Sequence, residues 1–474
     1  MALIAVMTVP RLLINYGMDG DAIRGMIAAE ALVETGSYVP SRLPGNPLFE
    51  YILALLSLFD GHILTNMMIL STFAAAIWAF WLLSEGLEHR WLLVGLFALT
   101  PILVKNAVVT KDYIPGLAAI LWSYLAATRS QYAWAYLLLG ISIGFRLPNL
   151  LFVIPLTALV RLKGEGFGKI CLLALLGLAS GLIWYTPVFM REGLNMLAIP
   201  PHSYHGLDYV FYTAYRFIAV FGVVATVLIA LLLVFNARKI VEDATREIRS
   251  RDPSVVLQIT TVLLFTLLFL RHSLQSEYLI PAVPFFYLLI WRWLGFKQLV
   301  LLTAAVLSFA LVSIEFKGGE SGKRKLAFKP EWGIVIKDLL DRKDLEALRS
   351  GVTRFSDSER AVIVHGYGPM LGFDNPGLAR ADYWAISAEL DPAGISDADA
   401  VNRLPGREIY LVSGLSRDNV TLLQREGYTL YCFSESAPSL AMHGFGYDPF
   451  QVGMRRLEVS GEKAFYKLNT SDSR

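Results

Sequence analysis

Two carboxylates, Asp19 and Asp21, flank Gly20 in a polar stretch that directly follows an apolar segment. A pair so spaced can hold a divalent cation, and either member can serve as a general base. An N-cap role also accounts for Asp21, because a helical pattern opens at Ala22. A third carboxylate, Asp112, follows Thr110 and Lys111. It too is placed to cap a helix, with Pro115 tolerated in the first turn.

The cations near these acids are spaced around helix breakers. Arg146 lies between Gly144 and Pro148, and Arg271 with His272 precedes Tyr278, Pro281 and Pro284. An ionisable group within a membrane segment is costly unless paired or used. Cations gathered beside a membrane cavity suit a phosphate or pyrophosphate, and the adjoining prolines favour that role for Arg146 and Arg271. For Lys105, Lys111, Arg191 and Arg216, snorkelling to the headgroups is the competing reading. The stretch 191–215 contains His202, Tyr204 and His205. Its two histidines have a spacing that serves some metal sites, but no third ligand accompanies them. The composition fits better a loop that closes over a sugar or lipid.

The elements that must hold these residues are membrane helices. The 474-residue chain is 55% hydrophobic and 17% charged, against roughly 25% charged in a soluble globular protein. Residues 1–317 hold 18 acidic and 22 basic residues, and the remaining 157 hold 22 and 20. The first part therefore reads as lipid-embedded and the second as soluble. A hydrocarbon core of about 30 Å needs roughly 20 apolar helical residues. Candidate spans are 1–16, 62–84, 91–109, 113–128, 132–145, 148–161, 169–190, 212–236, 255–270, 278–296 and 298–315. Several are short and interrupted by proline, as helices beside a water-filled cavity are. Residues 1–15 lack a basic leader and a small-residue cleavage site, so they read as a first span rather than a removed signal.

Twelve Lys/Arg in the turns of one face against eight on the other place the N-terminus inside and the tail outside. The basic connector 236–253 then faces the cytoplasm. On the outer side, residues 21–35 and 48–59 form two helices too short to span, suited to the membrane interface. The tail alternates helical and strand patterns, with apolar strands at 360–365, 408–413 and 429–433, as in a small α/β domain. The fold class expected is thus an α-helical polytopic membrane protein of about eleven spans. Residues 1–316 form the membrane domain, with interface helices at about 21–59, and 317–474 form an extracytoplasmic α/β domain. A net charge of +2 without a Lys/Arg block argues against a nucleic-acid partner. The two cysteines, Cys171 and Cys432, fall in different parts and do not suggest a disulfide.

In sequence order these features resemble the GT-C superfamily of polyprenyl-phosphate-sugar-dependent glycosyltransferases. The similarity is to the branch of protein O-mannosyltransferases and the lipid A aminoarabinose transferase. The motifs are Asp19-Gly-Asp21 after the first span, Pro44-Gly45 and Pro47 after the first interface helix, and Asp112 after the third span. Gly144, Arg146 and Pro148 follow, and then Arg271, Tyr278, Leu279, Pro281 and Pro284. The resemblance covers residues 10–296 and lies in the order of short motifs. It implies an inverting transfer at the outer leaflet of the plasma (inner) membrane, from a polyprenyl-phosphate-sugar to a glycan, lipid or protein acceptor.

By that resemblance Asp21 or Asp19 is the general base, Asp112 orients the acceptor, and Arg146, Arg271 and Lys111 bind the donor phosphate. His202, Tyr204, His205 and Tyr278 line the substrate loop. A divalent cation, Mg or Mn, would fall to Asp19, Asp21 and Asp112 if the reaction uses one. The acids of the first motif are separated by Gly20, which leaves open which of them is the base. Two other readings share these features: a non-catalytic GT-C-like subunit held by partners in a membrane complex, and a polytopic transporter. The absence of an internal repeat argues against the transporter.

Overall fold

A computed structural model describes residues 2–59, 61–197, 206–272, 275–315, 329–352, 360–365, 370–371, 378–391, 395–396, 401–433, 455–460 and 463–467. The chain divides into two compact units. One comprises Met1–Gly17, Gly25–Ser313 and Trp332–Lys337, and the other Met18–Arg24, Ile314–Glu331 and Asp338–Arg474.

The first unit is helical. In chain order it runs α1 (Ala2–Leu12), α2 (Gly20–Thr35, whose first turn belongs to the second unit), α3 (Pro47–Ser57), α4 (His62–Leu83), α5 (Arg90–Ala98) and α6 (Pro101–Asn106). Then come α7 (Tyr113–Thr128), α8 (Tyr132–Phe145), α9 (Val153–Leu162), α10 (Phe167–Leu182), α11 (Thr186–Glu192), α12 (Leu207–Phe221) and α13 (Val223–Phe235). The series ends with α14 (Ala237–Arg249), α15 (Pro253–Arg271), α16 (Val283–Trp293) and α17 (Phe296–Leu311).

Among the described residues three helical stretches are long and apolar enough to cross a membrane unaided: His62–Leu83, Phe167–Leu197 and Pro253–Arg271. Tyr209–Phe221 and Val223–Phe235 together make a fourth, bent by 96°. The other expected spans are shorter or broken, and the breaks have local causes. Proline opens α6 at Pro101, so the expected span 91–109 is two helices. Pro148 and Pro281 sit in 3-10 turns, Leu147–Phe152 and Ser276–Ala282, ahead of α9 and α16. The 96° bend is at Gly222, whose φ of +87° is left-handed and whose missing Cβ would fall 2.3 Å from Phe309.

Large apolar side chains cover the outside of these helices, including Leu172 and Leu175 on α10 and Leu263 and Leu267 on α15. Such continuous exposed apolar surface is a liability in water and the normal surface in lipid. This is a membrane protein. Its helices approach closely through small residues: a Cβ at Gly140 of α8 would lie 1.9 Å from Ser180 Oγ of α10.

The second unit contains a mixed seven-stranded sheet. Its order is 455–460, 463–467, 429–433, 361–364, 409–412, 402–403 and 379–380. Ala361–Val364 is parallel to both Ile409–Val412 and Thr429–Phe433, and the outer pairings are antiparallel. Alternation splits the central strand. Ala361 and Ile363 pack with Leu345, Leu348 and Val352 of α18 (Ile334–Val352). Val362 and Val364 pack with Val420 and Leu423 of α19 (Arg417–Arg425). A helix on each face explains why these strands read as unbroken apolar runs.

Candidate functional site

Asp112 stands just before α7, yet its side chain makes no capping bond to that helix. Its carboxylate turns instead to Arg146, whose Nη1 donates to Oδ2 at 2.8 Å. Both are buried, at 2% and 5% exposure. Arg42 Nη2 lies 3.8 Å from the other oxygen, Oδ1. The Asn46 amide, oriented to satisfy its neighbours, donates to Oδ2 at 3.3 Å and to Gly45 O at 3.1 Å.

Three pieces of local structure bring these groups together. Thr110 N–H donates to Tyr16 O at 3.0 Å, and Thr110 Oγ1 donates to Asn66 Oδ1 at 3.2 Å. Asn66 Nδ2 in turn donates to Asn15 O at 2.7 Å. This buried polar network fixes the approach to Asp112 against the ends of α1 and α4. Arg146 is extended (φ −154°, ψ 113°) at the break after α8. Asn149 Nδ2 holds the break by donating to Ser142 Oγ at 2.8 Å, and Ser142 Oγ donates to Gly116 O of α7, also at 2.8 Å. Gly144 lets α3 and Trp184 close in: a Cβ there would meet Trp184 Cδ1 at 2.7 Å and Leu48 Cδ2 at 3.1 Å.

The Arg146 guanidinium sits over two rings, 3.8 Å from the centre of Tyr113 and 4.8 Å from that of Tyr278. A planar, weakly hydrated cation suits such a place better than an ammonium does. The Tyr113 hydroxyl bonds Gln275 Oε1. Lys111 Nζ is 4.9 Å from the Tyr113 ring, and Lys105 pairs with Glu277 at 3.6 Å. His272 packs near Tyr278, with ring centres 6.1 Å apart. Four cations, Arg42, Lys105, Lys111 and Arg146, thus share the neighbourhood with two carboxylates, Asp112 and Glu277. The excess of positive charge suits an anion such as a phosphate.

Asp19 and Asp21 belong to the second unit. Asp19 Oδ1 accepts from Asp21 N–H at 3.0 Å, so Asp19 takes the capping position ahead of α2. Asp21 lies in the first turn of α2 and pairs with Arg24 at 3.7 Å. The cap expected at Asp21 therefore falls on Asp19. A metal site is not favoured by these surroundings, since Asp112 is engaged by two guanidiniums. Among the described residues no three His, Cys, Asp or Glu side chains gather in one place.

The chain's fold is similar to that of ArnT from Cupriavidus metallidurans bound to undecaprenyl phosphate. That alignment covers 99% of this chain and 97% of that one, with a TM-score of 0.50 and 13% identity. The protein has an ArnT-like fold. The apo state of the same protein aligns over the same shares at a TM-score of 0.49 and 14% identity. No family model and no curated protein matches the sequence.

Within the ArnT-like fold the expected site residues are distributed unevenly. Lys111, Asp112, Arg146 and Tyr278 are brought together. Arg271 is exposed at the C-terminal end of α15. His202, Tyr204 and His205 lie outside the described residues. Arg42, Asn46, Tyr113 and Gln275 join the site without having been singled out. Arg42 carries the clearest sequence signal, because it stands two residues before the Pro44-Gly45 turn.

Proposed function

We propose that the protein is a membrane glycosyltransferase of the inverting GT-C type, moving a sugar from a polyprenyl phosphate to an acceptor hydroxyl. The observation that carries this reading is the buried Asp112–Arg146 pair with Arg42 and Lys111 gathered around it in an ArnT-like fold. The similar enzyme was solved with undecaprenyl phosphate bound, which supports a lipid of that class as the leaving group.

In this mechanism the acceptor oxygen attacks the anomeric carbon as the bond from that carbon to the phosphate oxygen breaks. Asp21 takes the hydroxyl proton, and the polyprenyl phosphate leaves as an anion. Arg42 and Lys111 stabilise the charge that develops on the phosphate, where preorganised cations act most strongly. Asp112 and Arg146 hold this arrangement in place. In this reading the reaction takes place at the outer leaflet of the inner membrane and residues 317–474 form an extracytoplasmic domain, a sidedness supported by the Lys/Arg bias of the connecting turns.

The test is sugar transfer from a polyprenyl-linked donor by the Asp21→Asn and Asp112→Asn variants. Loss of transfer in each is expected, and full activity in both sinks the proposal.

A further inference from the structure

Arg42 reaches Asp112 from a loop with no regular structure, between α2 and α3. What fixes that loop is a buried carboxylate in the first turn of α3. Glu50 is 1% exposed and serves as acceptor for three donors of the loop. These are the Tyr38 hydroxyl, the Ser41 hydroxyl and the Ser41 backbone N–H, the last at 3.3 Å. Tyr38 is braced in turn, its ring stacked on Tyr51 at 5.4 Å with 20° between planes. Tyr51 leans on Trp184, with ring centres 6.3 Å apart.

The turn that follows is fitted to the same ring. Gly45 has a φ of +82°, and a Cβ there would fall 2.8 Å from the Tyr38 hydroxyl oxygen. Residues 38–46 are thus drawn over α3 at one end by Glu50, and at the other Asn46 bonds Asp112. Arg42 adjoins Ser41, which is tied twice to Glu50. An acid buried this fully is costly unless its acceptors are satisfied, and here the donors come from the loop that carries the cation.

We propose that Glu50 is a positioning residue: through Tyr38 and Ser41 it sets the reach of Arg42, the cation that binds the lipid phosphate beside Asp112. The inference rests on the glycosyltransferase reading for its ligand. Glu50 itself touches no substrate. Its part is to remove the loop's freedom before the phosphate arrives, so that Arg42 loses little entropy on binding.

The experiment measures binding of undecaprenyl phosphate to the full-length, detergent-solubilised protein. Arg42→Ala should weaken binding about tenfold, the loss of one charge-assisted contact. Glu50→Ala should weaken it comparably, and Tyr38→Phe, which removes a single hydroxyl and leaves the α3 packing alone, should do so several-fold. In an Arg42→Ala background Tyr38→Phe should have no further effect, because the arm it positions is gone. Glu50→Gln, which keeps one acceptor oxygen, should recover part of the loss.

A purely structural role predicts the reverse, an undiminished Tyr38→Phe effect without Arg42, and that result overturns the inference. So does wild-type affinity in Tyr38→Phe and Glu50→Gln alongside weak binding in Arg42→Ala. If the wild-type protein binds no undecaprenyl phosphate, the donor reading itself fails and the inference falls with it.

Discussion

Arg146 donates to Asp112 at 2.8 Å across 34 residues of sequence, joining the break after α8 to the start of α7. With both partners buried, the bond couples helix geometry to the charge of the site. A buried pair is a weak net source of stability, but stranding one member costs about 3–5 kcal/mol. Arg146→Ala should therefore lower the melting temperature markedly and abolish transfer. The double variant Asp112→Leu/Arg146→Met should melt nearer to wild type while remaining inactive. Thermal melts in detergent decide this: a double variant no more stable than the singles contradicts it.

Asp19 and Asp21 should separate cleanly. Asp19 accepts the Asp21 N–H ahead of α2, so Asp19→Ala loses a cap worth about 1 kcal/mol and keeps most of its activity. Asp19→Asn should be nearly silent, since asparagine caps equally well. Asp21→Asn should leave stability unchanged and remove activity. If Asp19→Asn is the inactive variant, the assignment of the base reverses.

Legibility in the sequence followed physical range. Apolar runs of helix length announced α4, α7, α8 and α15 to within a residue or two, because lipid imposes the same requirement on every residue of a span. The strands at 361–364 and 409–412 were equally plain, being β-branched and covered on both faces. The site was legible as separate charges beside prolines, and the partners were not. Nothing local to Asp112 tells that its carboxylate serves Arg146 and Arg42 rather than the N–H groups of α7. That choice depends on where the α8 break lies after folding. Arg42 was passed over because its loop has no periodicity, and Glu50, which shapes that loop, reads in sequence as an ordinary residue near the start of a helix.

The α8–α10 crossing gives a prediction about packing alone. A Cβ at Gly140 would lie 1.9 Å from Ser180 Oγ and 2.8 Å from the Gly177 carbonyl, which is backbone and cannot swing aside. Gly140→Ala should thus cost about 1–3 kcal/mol through overpacking. Gly168, also on α10, has nothing within 4 Å of its missing Cβ. Gly168→Ala should be neutral or slightly stabilising, since alanine is the better helix former. Melting both variants side by side checks the geometry; equal losses would count against it.

In the second unit, His365 follows the strand Ala361–Val364 and is fully buried. Burial disfavours its charged form and lowers its pKa from 6.5 to about 3. The sign of the effect follows from proton binding. Between pH 6.5 and about 3 the unfolded chain binds a proton that the folded one does not, so stability falls as the medium is acidified. The contribution is complete above pH 6.5 and is lost toward about 3, at up to about 1.4 kcal/mol per pH unit. His365→Gln stays neutral throughout and should flatten this part of the profile, because the other titrating groups are common to both proteins. Hydrogen exchange of residues 361–364, corrected for the intrinsic rate at pH 7 and pH 5, reads the difference directly. Protection in the wild-type strand should drop on acidification while the variant's changes less. Parallel losses in the two would show that His365 is not the group that titrates.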